Sequence, residues 1–211
     1  EAYERLLFTA ESKSSEWSLA SFKSLAALPD DFQVALGKRL EKIRLPQMLK
    51  SEIQEKLSYV IAVSALRRDA HSTAIQVGSQ IREGSAYYSR AQFVVSLAEY
   101  LSGKERESLA RLEKIFGKMP KDTAYYKDIQ AQIAMNLARM AFQEGKYPES
   151  SKWYLAIDKS TSVWVQGLLE HGWAQLLAGD NQGAVGNMFS LQSTYLKSVY
   201  KPESYVIRTI G

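Results

Sequence analysis

The stretch LARMAFQEGKYPESSKWYLAI, from Leu137 to Ile157, reads as two helical segments broken at Gly145 and restarted at once around Tyr147. Glycine ends a helix cheaply because it reaches the left-handed region without a Cβ penalty. The same break recurs. Gly179 lies 34 residues after Gly145, and Asp69 and Gly103 are also 34 apart. Gly103 and Gly145 are separated by 42, so one unit carries eight extra residues. Eight residues are about two helical turns, which lengthen a helix while barely rotating its face. The segment GKMPKDTAYYKDIQ, before the helix that holds Leu137, is the expected place for them.

Aligning the four units on Asp69, Gly103, Gly145 and Gly179 exposes further agreement. Seven residues earlier stand Ala62, Ser96, Ala138 and Gly172, and five residues later Ala74, Ser108, Ser150 and Ala184, all small. Twelve residues later stand Ile81, Ile115, Ile157 and Leu191, all branched aliphatic. Eight residues earlier stand Ile61, Val95, Leu137 and His171, apolar except the last. Small residues at two fixed points let antiparallel helices approach closely, and the aliphatic residues fill the seam. Each break is therefore expected to be the elbow of a helical hairpin, and the hairpin to be repeated.

This pattern resembles the tetratricopeptide repeat (TPR) family: a 34-residue period, small residues at the eighth and twentieth positions, and Gly at the fifteenth. The resemblance covers roughly residues 55–196, with Pro120 at the family's terminal proline position in the second unit. There are departures. The family's aromatic at the eleventh position is Ala65, Glu99, Ala141 and Gln175 here, and Asp69 replaces the first glycine. The last unit is similar to TPR units of bacterial cell-envelope proteins.

The expected fold is all-α, an α-solenoid of antiparallel hairpins with about ten helices of roughly 10–22 residues. Units are expected at roughly 55–88, 89–122, 131–164 and 165–198, behind an N-terminal helical cap over 1–50. Stripes at helical spacing support the reading: Leu49, Ile53, Leu57, Ile61 and Ala65, then Phe32, Leu36, Leu40 and Ile43. Asp30 or Asp31, Pro46, Asp122 and Ser160 to Ser162 read as helix-start signals. Runs with strand alternation are nearly absent. Pro202 and Glu203 begin a further helix that stops about two turns later, so more protein is expected after Gly211. The start EAYERLL, without Met or a leader, points to a processed or excised chain. A coincidental spacing in a generic helical bundle is the competing explanation of the repeat.

Composition narrows the chemistry. The chain of 211 residues has 45% hydrophobic and 24% charged residues, ordinary for a folded domain. Net charge is +4, too little without clustering to indicate nucleic acid. No apolar run approaches the roughly 20 residues of a membrane span. With no Cys, disulfides, thiolate metal sites and Cys nucleophiles are excluded. His71 and His171 are the only histidines, 100 residues apart, so no metal site is expected. His71 reads as a surface-turn residue and His171 as a buried or half-buried helix residue. Neither GxxxxGK[ST] nor GxGxxG occurs, and the Gly-Lys of SGKE at Ser102 to Glu105 falls at an elbow. GxSxG is missing. The SxxK spacing of Ser198 and Lys201 and the carboxylate pair Glu52/Glu55 are better explained by coincidence and by a solvated face. No enzyme activity and no cofactor are expected.

In TPR proteins the first helix of each hairpin lines a concave binding surface. Carried over by position, this surface holds Lys56, Tyr59, Val63 and Arg67, then Arg90, Phe93, Leu97 and Tyr100. The third unit adds Gln132, Met135, Arg139 and Phe142, and the fourth Gln166, Leu169, Trp173 and Leu177. Tyr59, Arg67, Arg90, Phe93, Tyr100, Arg139, Phe142 and Trp173 are the expected partner-binding residues. Packing against neighbouring helices is the favoured role for Val63, Leu97 and Leu169. The set contains Lys/Arg and aromatics but no acid, so the expected partner is a protein or peptide of acidic or apolar character. The carboxylate clamp of co-chaperone TPR domains is not visible, since its first-unit positions hold Tyr59 and Val63.

The expected function is a non-catalytic protein-interaction scaffold. The alternative is the helical part of a larger cell-wall enzyme whose catalytic domain lies elsewhere. RNA binding is a third, less favoured reading. The envelope likeness leans towards the periplasm, with the cytoplasm as the alternative, and nothing in the sequence sets an oligomeric state.

Overall fold

The computed structural model describes residues 15–27, 30–43, 50–119, 124–196 and 202–211. Among them are eleven α-helices, one short 3-10 turn and no strand. The helices are α1 (Ser15–Ala26), α2 (Asp30–Leu40), α3 (Ser51–Arg67), α4 (His71–Ser79), α5 (Tyr88–Leu101) and α6 (Glu105–Lys118). They continue with α7 (Ala124–Gln143), α8 (Tyr147–Leu155), α9 (Trp164–Leu177), α10 (Asn181–Leu191) and α11 (Glu203–Ile210). The 3-10 turn spans Thr194–Leu196. This is the all-α helical-repeat fold that the spacing predicts. The chain forms two compact units, Glu1–Ile115 and Phe116–Gly211.

The elbows are where the sequence places them. Among the described residues, positive φ occurs only at Asp69 (57°), Gly103 (77°), Gly145 (74°) and Gly179 (82°). Each elbow closes with the same pair of backbone bonds. At Gly145 its N–H donates to Phe142 O (3.0 Å), and Lys146 N–H donates to Ala141 O (2.9 Å). Equivalent pairs join Asp69 and Ala70 to Leu66 and Ala65, Gly103 and Lys104 to Tyr100 and Glu99, and Gly179 and Asp180 to Leu176 and Gln175. This is the Schellman closure, which satisfies the last carbonyls of a helix through one left-handed residue. Asp180 also caps α10, accepting from Gly183 N–H (2.9 Å).

The residues that define the period are interior. Ala62, Ser96, Ala138, Gly172, Ala74, Ser108, Ser150 and Ala184 are all buried, as are Ile81, Ile115, Ile157 and Leu191. Ser150 reaches across its hairpin and donates to Ala138 O (2.8 Å), joining the two small positions. Where the TPR family has an aromatic, Glu99 is buried. Arg111 on α6 satisfies it with bonds of 2.9 and 2.7 Å and also donates to Gln92. Burial of Glu99 without that guanidinium would be costly.

In the first unit, α1 and α2 pack on α3 around Phe22, Leu25, Leu40, Leu57 and Val60. Of the two stripes, Leu57, Ile61, Ala65 and Leu40 are buried, and Ile53, Leu36 and Ile43 pack against that core. In the second unit, α7 has 20 residues against 14 in α9. The longer helix is consistent with the eight-residue insertion. Asp122 and Pro120 lie outside the described residues, as do Leu49, Pro46, Ser198 and Lys201 and the side chains of Asp30, Asp31 and Phe32. Glu203 begins α11 directly after Pro202. His71, expected on a surface turn, is instead the half-buried first residue of α4. Glu55, expected on a solvated face, has a side chain only 13% exposed and pairs with Arg82 at 2.8 Å.

A candidate ligand cavity in the second unit

Helix α7 places Arg139, Phe142 and Gln143 on one face, because residues three and four apart are neighbours on a helix. Helix α9 presents Glu170 and Trp173 by the same spacing, and α8 contributes Tyr154. These six residues line a cavity of about 400 Å³. That is within the range of small ligand pockets.

A single carboxylate organises the wall. Arg139 donates through Nε to Glu170 Oε2 (2.8 Å) and through Nη2 to Oε1 (2.7 Å). The Tyr154 hydroxyl donates to Oε2 (2.9 Å), and Gln166 Nε2 to Oε1 (2.9 Å). Four donors thus fill the usual acceptor sites of the carboxylate. Burial pushes the Glu170 carboxyl up, but the bonds from Arg139, Gln166 and Tyr154 outweigh it and hold its pKa below the ordinary range. Burial, with the Glu170 charge added, pushes the Tyr154 phenol well above its ordinary value. At neutral pH Glu170 is therefore ionised and Tyr154 keeps its proton. The bond to Glu170 raises Arg139 further.

The aromatic walls are braced from behind. Tyr154 is 6% exposed and belongs to the core with Ala134, Ala138 and Ile157. Phe142 meets the edge of Tyr147 at 5.3 Å, and Trp173 packs against the cluster around Met188 and Ile207. Behind Tyr154 runs a polar relay. His171 is 5% exposed, with Ser151 Oγ 2.6 Å from Nε2 and the Asn187 amide donating to Nδ1 (3.0 Å). That donation makes Nδ1 the acceptor, so Nε2 carries the proton and donates to Ser151. Asn187 also donates to Gln175 Oε1 (2.6 Å), and Gln175 Nε2 in turn donates to Asp180 Oδ2 (3.0 Å). The histidine thus ties α8, α9 and α10 together.

Three of the eight expected partner-binding residues, Arg139, Phe142 and Trp173, are brought together here. The other five are in the first unit. Tyr59 stacks on Tyr87 at 5.8 Å and packs on the α3 core, Arg67 is exposed in the last turn of α3, and Arg90, Phe93 and Tyr100 are half-buried along α5. Leu169 and Met135 are buried, and Val63 packs against the core. Tyr154, Gln143 and Glu170 were not among the expected residues. Glu170 corrects the view of an acid-free surface, since it neutralises Arg139. One signal could have found it: the same repeat position is Val60 and Val94 in the first two repeats, both buried, and Asn136, half-buried, in the third. A carboxylate in that position needs partners.

Among the described residues, no group of three or more His, Cys, Asp or Glu could hold a metal ion. Nor is any described helix long and apolar enough to cross a membrane. No protein-family model matches the sequence, and no curated protein matches it either. The fold and the cavity therefore carry the functional reading.

Proposed function

We propose that this chain is a non-catalytic interaction module of TPR type, and that the cavity between α7, α8 and α9 receives part of a partner protein or peptide. The observation that carries the reading is the meeting of Arg139, Phe142 and Trp173 from successive hairpins around one open cavity. Aromatic anchors beside an arginine are typical of interface hot spots. The rigid backing supports the same reading. The Glu170 network and the Tyr154 core hold the wall before any ligand arrives, which lowers the ordering cost of binding.

The test is affinity capture from the native cell with wild type, Trp173→Ala and Phe142→Ala, each checked for folding by circular dichroism. A partner retained by wild type and lost by both folded variants is the expected result. Equal capture by all three would remove the cavity from the function.

A further inference from the structure

Resting on the reading of this cavity as a peptide site, we infer that its occupant is an electrically neutral, apolar peptide segment that inserts an aromatic or large aliphatic side chain, and not an acidic one. Charge balance carries the inference. Of the six lining residues only Arg139 and Glu170 are charged, and they cancel. They meet in a two-bond fork, so an incoming carboxylate held by Arg139 would also stand close to the Glu170 charge. Such an anion cannot take over the fork without removing the cationic partner of Glu170, whose charge, on a side chain only 20% exposed, would then rest on the neutral donors Tyr154 and Gln166, which is costly.

What remains is a wall of three rings, Phe142, Tyr154 and Trp173, with polar atoms at their margins. Arg139 Nη1 is not engaged by Glu170 and is available to a neutral acceptor such as a peptide carbonyl. The guanidinium thus acts as a fixed polar edge to an aromatic slot. Glu170 is its positioning residue.

The experiment selects binders to the full chain from a random-peptide library displayed on phage. Selected peptides are re-measured from about 0.05 M to about 0.5 M NaCl, a range over which screening of exposed charges strengthens several-fold. They are then measured against Trp173→Ala, with Phe142→Ala as substitute if that variant does not fold. The double variant Arg139→Met with Glu170→Gln removes both charges while keeping the wall's bulk.

The expected peptides are enriched in Trp, Phe, Tyr, Leu or Met and not in Asp or Glu. Their affinity should change less than about threefold with salt and by a similar factor in the double variant, small on the scale where tenfold is about 1.4 kcal/mol. Acid-rich peptides that lose more than about tenfold in the double variant or at high salt would overturn the neutral occupant and leave the peptide site standing. Failure to enrich anything over the Trp173→Ala control would overturn the occupant and the proposed function together.

Discussion

The same repeat positions carry mostly small or aliphatic residues in the first unit and line a cavity in the second. Arg139, Phe142, Gln143, Tyr154, Glu170 and Trp173 each stand 76 residues after Val63, Leu66, Arg67, Gly78, Val94 and Leu97. The elbows shift by the same interval, from Asp69 to Gly145 and from Gly103 to Gly179. In the first unit these positions are small or aliphatic apart from the exposed Arg67. Val94 is 7% exposed, Val63 packs on the core, and Gly78 lets its helix approach Val95 closely. In the second they are large rings and an ion pair. Rings are rigid and their polar tips must reach partners, so such side chains are harder to close over than valine and glycine. A change of side chains on one hairpin geometry thus turns packing into a site.

The contrast is strained most by removing its most deeply buried ring. Tyr154→Ala replaces a nearly buried ring where the first unit has glycine, without the backbone approach that glycine permits. The expected loss is about 3–5 kcal/mol in urea unfolding, as for large aromatic truncations in cores. A loss below about 1 kcal/mol would mean that the second unit closes as tightly as the first. The reciprocal change is Gly78→Ala. A Cβ there comes within 2.6 Å of Val95 Cγ2, and a branched buried side chain has little room to yield. Destabilisation of about 1–3 kcal/mol is expected from overpacking. A neutral or stabilising result would show slack in the first seam.

These substitutions also mark what the sequence could and could not reveal. The hairpin repeat was legible because its period is written in residues that only packing explains, such as Ala138 with Ser150 and Ala62 with Ala74. The departures from the family pattern were visible too, but not their solutions: nothing in the spacing of Glu99 says that Arg111 reaches it. The cavity was half legible. Position alone nominated Arg139, Phe142 and Trp173, because they share the exposed face of first helices. Tyr154 escaped because it comes from a second helix, and Glu170 because its burial depends on donors from three helices.

A smaller contrast concerns one buried position. Ile61 and Val95 occupy in the first unit what His171 occupies in the second. Burial lowers the His171 pKa, and the Asp180 charge offsets this only in part. The folded pKa is therefore below the unfolded value of 6.5. In such a case the unfolded chain binds the proton first as pH falls, so the stabilisation is complete above about 6.5 and is lost as pH drops through the window beneath it. Urea midpoints of the wild type should fall on going from pH 7 towards pH 5. His171→Leu should flatten that part of the profile while lowering stability near neutrality, because Ser151 and Asn187 lose their partner. An unchanged profile in the variant would assign the pH response to other groups.

The smallest effect is expected at the elbows, where the units differ by one side chain. Asp69 holds φ 57° with a Cβ, while Gly145 reaches φ 74° without one, and both close with the same two backbone bonds. The left-handed region costs a residue with a Cβ about 1–2 kcal/mol, less for aspartate because its short carboxylate tolerates that region. Asp69→Gly should therefore stabilise by up to about 1 kcal/mol, reduced by the extra freedom glycine gains in the unfolded chain. Gly145→Ala should destabilise by about 1 kcal/mol, since nothing crowds a Cβ there and backbone strain alone opposes it. Opposite signs at equivalent positions would establish that the elbow geometry, and not the local contacts of either unit, sets the preference. If Asp69→Gly destabilises instead, the Asp69 carboxylate contributes more than its backbone strain costs, and its 3.7 Å approach to His71 is the contact to remove next.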